Sequence, residues 1–173
     1  VYISCKKGTR NIDFNSKFLV GCDGARSSIR KKLNIKIDDF GYNQEWLVCD
    51  AHLTKNLHLK NELVQVCNPK RPCTFLHGRR GHLRFEFKVM PNDDLDNLRS
   101  DESVWNLLSP WIDRSNARLE RAVIYNFHAC IAKVWRMNNV LIAGDSAHQM
   151  PPFMGAGMGT GIRLSLIHIS EPT

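Results

Sequence analysis

The sequence predicts an α/β (α+β) protein in which two strand–turn–helix pieces of a doubly wound domain flank a mainly antiparallel sheet. Three observations carry that prediction. Two short, nearly continuous apolar runs, Phe18-Leu19-Val20-Gly21-Cys22 and Val140-Leu141-Ile142-Ala143, each lead into a Gly/Asp turn, the pattern of strands covered on both faces. Between about Ile35 and Cys130 the pattern changes to alternation, as in Leu83-Arg84-Phe85-Glu86-Phe87-Lys88-Val89. The 173 residues are 43% apolar and 24% charged, a globular composition that excludes disordered, collagenous and disulfide-scaffold classes.

Taken in order, the run Phe18–Cys22 ends at Asp23-Gly24, a turn signal, and Ser27 and Ser28 offer caps for a helix from Ile29 to Leu33. Trp46 to Leu53, Leu63 to Cys67 and Cys73 to His77 are candidate strands, separated by Asn68-Pro69 and Gly78 to Gly81. The alternating Leu83–Val89 predicts a strand with one face on a core and one in water. Asp101 is the expected cap of a helix that places Val104, Leu107, Leu108, Trp111 and Ile112 on one face. Phe85, Phe87, Trp105 and Trp111 stand at core periodicity, so packing is their expected role. The expected divisions are 1–34, 35–130 and 131–163, with 164–173 set apart.

Lys and Arg number 24 against 17 Asp and Glu, giving a net charge of +7 concentrated in the first forty residues. The run Arg30-Lys31-Lys32 is too short for a nucleic-acid patch and reads as a solvated helix face; the same field would suit a dinucleotide phosphate. No apolar run approaches the roughly 18 residues of a membrane span, and the N-terminus lacks a signal-peptide pattern. The six cysteines form no C-x-x-C pair and are expected as free thiols in the reducing cytoplasm, four of them inside apolar or alternating stretches. His52, His58, His77 and His82 show no pairing pattern, and Arg79-Arg80 reads as an exposed loop.

The stretch Gly144-Asp145-Ser146-Ala147-His148 continues through Pro151-Pro152 to glycines at 155, 157, 159 and 161. A strand thus delivers a carboxylate at its C-terminal end, where open α/β sheets place ligand groups. Glycines beyond a rigid turn allow close backbone approach, and a helix starting there would aim free N–H groups at an anion. A loop is the competing reading of the glycines. Gly155, Gly157 and Thr160 break G-x-G-x-x-G at its last position, Ser146 is not in a G-x-S-x-G elbow, and Asp145 with His148 lacks further ligands for a metal.

This segment resembles the second flavin-binding motif of single-component FAD-dependent aromatic hydroxylases, the para-hydroxybenzoate and phenol hydroxylase group. Cys22-Asp23-Gly24-Ala25-Arg26-Ser27-Ser28-Ile29-Arg30 is similar to the other shared motif of that family, about 120 residues upstream. Glu45–Asp50, Gln65–Pro72 and Arg84–Phe87 resemble 3-(3-hydroxyphenyl)propionate hydroxylases in particular, and the likeness runs from Phe18 to Arg163. The resemblance implies an FAD-binding domain with an inserted substrate-binding sheet. It implies reduction of FAD by NAD(P)H, capture of dioxygen as a flavin hydroperoxide, and oxygen transfer to a small phenolic acid. It also implies cofactor contacts from Asp23, Gly24, Arg30, Ala143, Gly144, Asp145, Ala147, His148, Pro152, Gly155, Ala156 and Gly157, with Asp145 on the ribityl chain and Asp23 and Arg30 serving both FAD and the nicotinamide cofactor. Pro151 and Pro152 would border the substrate. No catalytic side chain, no metal, no nucleic-acid or membrane partner and no oligomeric state is implied.

The chain departs from the family in three respects. The N-terminal G-x-G-x-x-G unit is absent, so a fragment is expected that neither holds FAD tightly nor hydroxylates by itself. Similarity stops at Arg163, and residues 164–173 are expected to be non-native. Ser146 stands where the family usually has alanine. Another member of the superfamily, such as a halogenase, epoxidase or quinone-biosynthesis hydroxylase, is the alternative within flavoproteins; a basic binding module is the alternative outside them, distinguished by affinity that falls steeply with salt.

Overall fold

The computed structural model describes residues 1–55, 57 and 62–170 of the chain, without the side chains of 154 and 167–170. His58 and residues 171–173 lie outside the described residues. Along the chain come β1 (Tyr2–Lys7), β2 (Arg10–Asn15), β3 (Leu19–Gly21), α1 (Ser28–Lys32), β4 (Ile37–Leu53), β5 (Leu63–Val66), β6 (Cys73–His77) and β7 (His82–Lys88). They are followed by α2 (Leu95–Leu98), α3 (Asp101–Leu108), β8 (Ala117–Ala132), β9 (Arg136–Met137), β10 (Val140–Ile142), β11 (His148–Gln149) and α4 (Gly157–Ser170). The chain is mixed α/β, and it divides into two compact units, 1–42 with 128–173, and 43–127.

In the first unit β3 and β10 lie side by side and parallel, Leu19 opposite Val140 and Gly21 opposite Ile142. β9 pairs antiparallel with β10 on its other side. A separate hairpin joins β1 to β2 through Gly8, whose φ of +61° suits a residue without Cβ. β11 pairs with the end of β8, His148 opposite Ile131. Ile35, Ala132, Ile142 and Ala147 form a small core, with Ile29, Leu33 and Trp135 packed against it.

The second unit is a sheet in the order β8-β4-β7-β6-β5, with antiparallel pairing where β4, β7, β6 and β5 meet. Leu47, Cys49 and Ala51 of β4, Phe75 of β6, and Leu83, Phe85 and Phe87 of β7 share one face, which packs with Val104, Leu108 and Ile112. Trp105 and Trp111 pack against the same core, the role their spacing predicts. The helix differs in detail from the sequence reading. Ser100 is the cap, accepting from the Ser103 N–H, and the helix stops at Leu108. Pro110 cannot continue it, although the N–H groups of Trp111 and Ile112 still reach the Leu108 carbonyl.

The outer face of β7 also differs from the expected solvated one. Glu86 is only 8% exposed, and Arg84 lies across to Asp50 on β4, donating from Nε at 2.8 Å and Nη2 at 3.2 Å. Asp50, itself buried, also accepts from Nε of Arg121 at 3.0 Å and from its Nη2. Burial pushes the Asp50 carboxyl up, but the hydrogen bonds and charges of the two arginines outweigh it and hold the group below its ordinary range. Burial moves Glu86 upward; Arg84 opposes that shift and the Asp50 charge adds to it. Alternation therefore located the strand correctly, while charge pairing rather than water covers its second face.

Candidate cofactor site

The C-terminal ends of β3 and β10 present the two sequence motifs next to each other, because parallel neighbours end on the same side of a sheet. The chain then turns at Gly24 with φ +78° and at Gly144 with φ +64°. An added Cβ at either glycine would meet no atom within 4 Å. Both turns are conformations that glycine adopts without strain, and both face open space.

The two aspartates of these motifs behave differently. The Asp23 carboxylate accepts from Ser27 Oγ at 2.5 Å, Ser28 N at 2.7 Å, Ser28 Oγ at 3.0 Å and Ile29 N at 3.1 Å. It thereby occupies the free N–H groups of α1, while Ser27 caps the same helix through the Arg30 N–H. Desolvation acts to raise the Asp23 carboxyl, but these four hydrogen bonds prevail and bring it down to about 2. Asp145 is exposed, and no hydrogen bond to its carboxylate is present among the described residues, so its acceptor oxygens stand ready for a ligand's hydroxyl donors.

The low Asp23 value predicts acid sensitivity. A carboxyl whose folded pKa lies below its unfolded value of about 3.9 contributes stability above that value, and the contribution is lost as pH falls through about 2. For an exposed group, solvent screening reduces the effect to about 1 kcal/mol. Urea midpoints of wild type and Asp23→Asn should therefore differ at pH 6 and converge between pH 4 and pH 2.

Arg30 is 5% exposed. Its Nη1 donates to the Ser146 carbonyl and its Nη2 to the Ala25 carbonyl, both at 2.7 Å. Ser146 is buried; its hydroxyl stands 2.6 Å from the carbonyls of both Gly21 and Ala143 and accepts from the Ala143 N–H. Ala143 and Ala147 are buried on either side of the 144–146 turn. The Ala143 N–H donates to Gly21 at 3.0 Å, and the Ala147 N–H closes the turn on Gly144 at 2.8 Å.

His148 is 6% exposed and stacks on Trp135, with ring centroids 5.8 Å apart and planes at 17°. Neither ring nitrogen has a hydrogen-bond partner among the described residues. Beyond it, Pro151 and Pro152 lead into a turn at 152–154, and Gly155 takes φ +59°. Phe153 of that turn meets Tyr42 edge-on at 6.4 Å. A Cβ at Gly155 would again touch nothing within 4 Å, and one at Gly161 would lie 3.5 Å from the Gly144 Cα. The glycines are therefore not a loop: Gly155 is a left-handed turn, and α4 starts at Gly157 with its first N–H groups available.

An orphaned buried imidazole, a free carboxylate and glycines with open space over them fit a polar ligand with a flat part, as the flavin expected from the sequence would be. Of the expected contact residues, Ala143, Gly144, Asp145, Ala147 and His148 stand on or beside the turn after β10. Pro151, Pro152, Gly155, Ala156 and Gly157 lie between it and the start of α4. Asp23 and Arg30 lie at the same sheet end with their polar atoms engaged by this chain. The sequence reading missed Trp135, which stands in no recognisable motif, and Gln149, which lies inside the second motif without being singled out and whose Nε2 approaches the Ala25 carbonyl at 3.4 Å. Among the described residues no three His, Cys, Asp or Glu side chains group as a metal site, and no helix is long and apolar enough to cross a membrane. Three cysteines are buried, Cys49, Cys73 and Cys130, and Cys5, Cys22 and Cys67 are exposed, one fewer buried than the apolar surroundings of four suggest.

Comparison with known proteins bears on this geometry. A family model described as FAD binding domain matches residues 2–165. A probable NADH-specific resorcinol 4-hydroxylase of Rhodococcus jostii (strain RHA1) is 36% identical over 149 residues, which cover 86% of this chain and 28% of that protein. A 3-(3-hydroxy-phenyl)propionate/3-hydroxycinnamic acid hydroxylase of Escherichia coli O81 (strain ED1a) is 32% identical over 164 residues, 94% of this chain and 29% of that protein. The chain thus spans just over a quarter of the length of these relatives. The crystal structure of p-nitrophenol 4-monooxygenase PnpA from Pseudomonas putida DLL-E4 superposes with a TM-score of 0.79 at 19% identity, covering 97% of this chain and 45% of that one. A ternary complex of aklavinone-11 hydroxylase with FAD and aklavinone gives a TM-score of 0.73 at 18% identity, over 96% of this chain and 34% of that one.

Proposed function

The chain belongs to the FAD binding domain family, and from that membership we propose that it is part of an FAD-dependent monooxygenase. Its substrate would be a phenolic aromatic acid of the 3-(3-hydroxyphenyl)propionate kind, hydroxylated in the cytoplasm with NAD(P)H and dioxygen. The observation that carries the reading is the exposed, unengaged Asp145 carboxylate at the end of β10, set between Gly144 and the open turn at Gly155. Asp145 would accept from ribityl hydroxyls, and the first N–H groups of α4 would donate to acceptor atoms of the bound flavin. Gly155, Ala156 and Gly157 let the backbone approach the isoalloxazine, and Pro151 with Pro152 borders the substrate. When bound, the flavin supplies the electron transfer and oxygen activation; these residues bind it, orient it and exclude water. The resorcinol and hydroxyphenylpropionate hydroxylases among the relatives support a phenolic substrate.

The test is to express the complete protein containing this chain and supply resorcinol and 3-(3-hydroxyphenyl)propionate separately with NADH or NADPH. The expected result is a yellow protein whose NAD(P)H oxidation is stimulated most by the phenolic acid, with one atom of ¹⁸O₂ in the product. A colourless protein with no phenol-stimulated oxidation overturns the reading. The 173-residue chain alone, with a fraction of the relatives' length, should retain no flavin on gel filtration.

In the complete protein, Gly144→Val should lower FAD affinity at least tenfold, about 1.4 kcal/mol, measured by flavin fluorescence. It fills the open space over the turn and forces a β-branched residue to φ +64°. The folding cost of that backbone strain alone is about 1–2 kcal/mol.

A further inference from the structure

We propose that the turn between β6 and β7 carries a binding site for a small organic carboxylate, with Arg79 and Arg80 as its cations. The second unit contains eight arginines, of which six form ion pairs with an aspartate or glutamate. Arg79 and Arg80 are the other two. They are exposed neighbours, and neither side chain has an ion pair or hydrogen bond among the described residues. Both line a cavity of about 460 Å³ together with Lys55, and no Asp or Glu is among its described lining residues. Lys55 shares its charge with Asp113, so the two arginines supply the positive field that no described carboxylate answers.

The backbone supports the same assignment. Among the described residues three other than glycine have positive φ, and two of them, Asn34 and Asn138, are of the type that tolerates it. The third is Arg80, at φ +58° and ψ +32°. The hairpin imposes this conformation, since the Gly78 N–H closes on the His82 carbonyl at 2.7 Å, and glycine would adopt it without strain. Residues held in this way concentrate at ligand clamps; here one sets a second guanidinium beside the first. Leu53 and Leu57 give the cavity an apolar wall, and both pack against the core of the sheet. An inorganic anion would leave that wall uncovered. An organic acid with an aryl or alkyl body covers it while its carboxylate meets the guanidinium forks, and the cavity is large enough for such a molecule. None of these residues belongs to either flavin motif, so the site stands or falls separately from the flavin reading.

The experiment uses the complete protein as wild type, Arg79→Gln and Arg80→Asn, the last chosen because asparagine keeps the positive φ. Binding of 3-phenylpropionate, which lacks a ring hydroxyl, and of its neutral amide is read by titration calorimetry. The expected result is that wild type binds the acid about tenfold more tightly than the amide, and that each variant loses about tenfold in affinity for the acid alone. Thermal midpoints should match wild type because both side chains are exposed and unpaired; if one variant does not fold, the other decides. Equal affinity for acid and amide, no binding of the acid by wild type, or wild-type affinity in the variants would each overturn the proposal. Turnover then separates two sources of the carboxylate. A KM for 3-(3-hydroxyphenyl)propionate that rises by the same factor, with that for resorcinol unchanged, makes the carboxylate the substrate's own. Both KM values unchanged, with the calorimetric loss present, assigns the site to a separate organic acid; either result supports the site. If wild type turns over neither phenol, the flavin reading fails while the calorimetry still tests the site.

Discussion

Replacing Asp50 by alanine should destabilise the protein by about 3 kcal/mol, in the range measured when one partner of a buried ion pair is removed. The Asp50 side chain is 8% exposed, while those of Arg84 and Arg121 are 38% and 43% exposed. Removal therefore leaves two guanidinium groups that can partly rehydrate, which keeps the cost from being larger. It also removes the bond that ties β7 and β8 across β4, since both arginines converge on this one carboxylate. Asp50→Asn keeps one acceptor oxygen and should cost less, about half as much, because the charge-assisted part of each bond is lost. The arginines hold the Asp50 carboxyl below its ordinary range, so its contribution is present at neutral pH and fades as pH falls below about 4. Urea midpoints of the three proteins at pH 7 and pH 3 check the order: the differences should be large at pH 7 and shrink at pH 3. Equal midpoints at pH 7 would mean that the cluster merely decorates the sheet.

Where the sequence carried a periodic signal, it located the elements closely. Cys73–His77 is β6, the apolar runs at 18–22 and 140–143 contain β3 and β10, and α1 begins after Ser27. The losses have local causes. β4 begins at Ile37 rather than Trp46 because Asp38, Asp39 and Gly41 read as turn residues. Gly41 has φ +75° and its N–H donates to Asp39 at 2.9 Å, a bulge-like irregularity inside a continuing strand. β1 and β2 escaped because their apolar residues are few and interspersed with polar ones, Ile12 and Phe14 themselves lying exposed, leaving only Gly8 as a hairpin signal. β8 has a mixed burial pattern with no steady alternation over its sixteen residues, so period-2 reasoning finds nothing to count.

The site was legible as a pair of motifs but not as a division of labour. Asp23 and Asp145 each follow a short apolar run and each neighbour a glycine, and nothing in composition separates them. The separation arises from local donors: Ser27 and Ser28 stand where they can turn back on Asp23, whereas Asp145 has no described donor. Ser146 registered as a departure from the usual alanine and as a serine outside a G-x-S-x-G elbow. Its buried hydroxyl links two strand ends 125 residues apart, a relation that spacing along one chain cannot reveal. The same is true of Arg30, one of whose two acceptors, the Ser146 carbonyl, lies in the other motif.

Phe85→Ala should be the most damaging single apolar truncation, costing about 3–5 kcal/mol. Phe85 is fully buried in the centre of β7 and touches an aromatic group from each side. Its ring centroid is 4.7 Å from Phe75, 6.2 Å from Phe87 and 5.5 Å from Trp111. Alanine removes the buried area and also the ring that joins β6 to the segment after α3, and neighbouring aromatic rings collapse poorly into such a space. Phe85→Leu restores much of the volume and should recover most of the loss, while Phe85→Tyr should not, because its hydroxyl would be buried without a partner. The ring faces the packed side of the sheet, so the expected role is structural. Phe85→Leu in the complete protein should leave the KM for the proposed phenolic acid unchanged while lowering the thermal midpoint by a few degrees. A KM raised tenfold with an unchanged midpoint would instead place Phe85 against the substrate and invert the assignment of the two sheet faces.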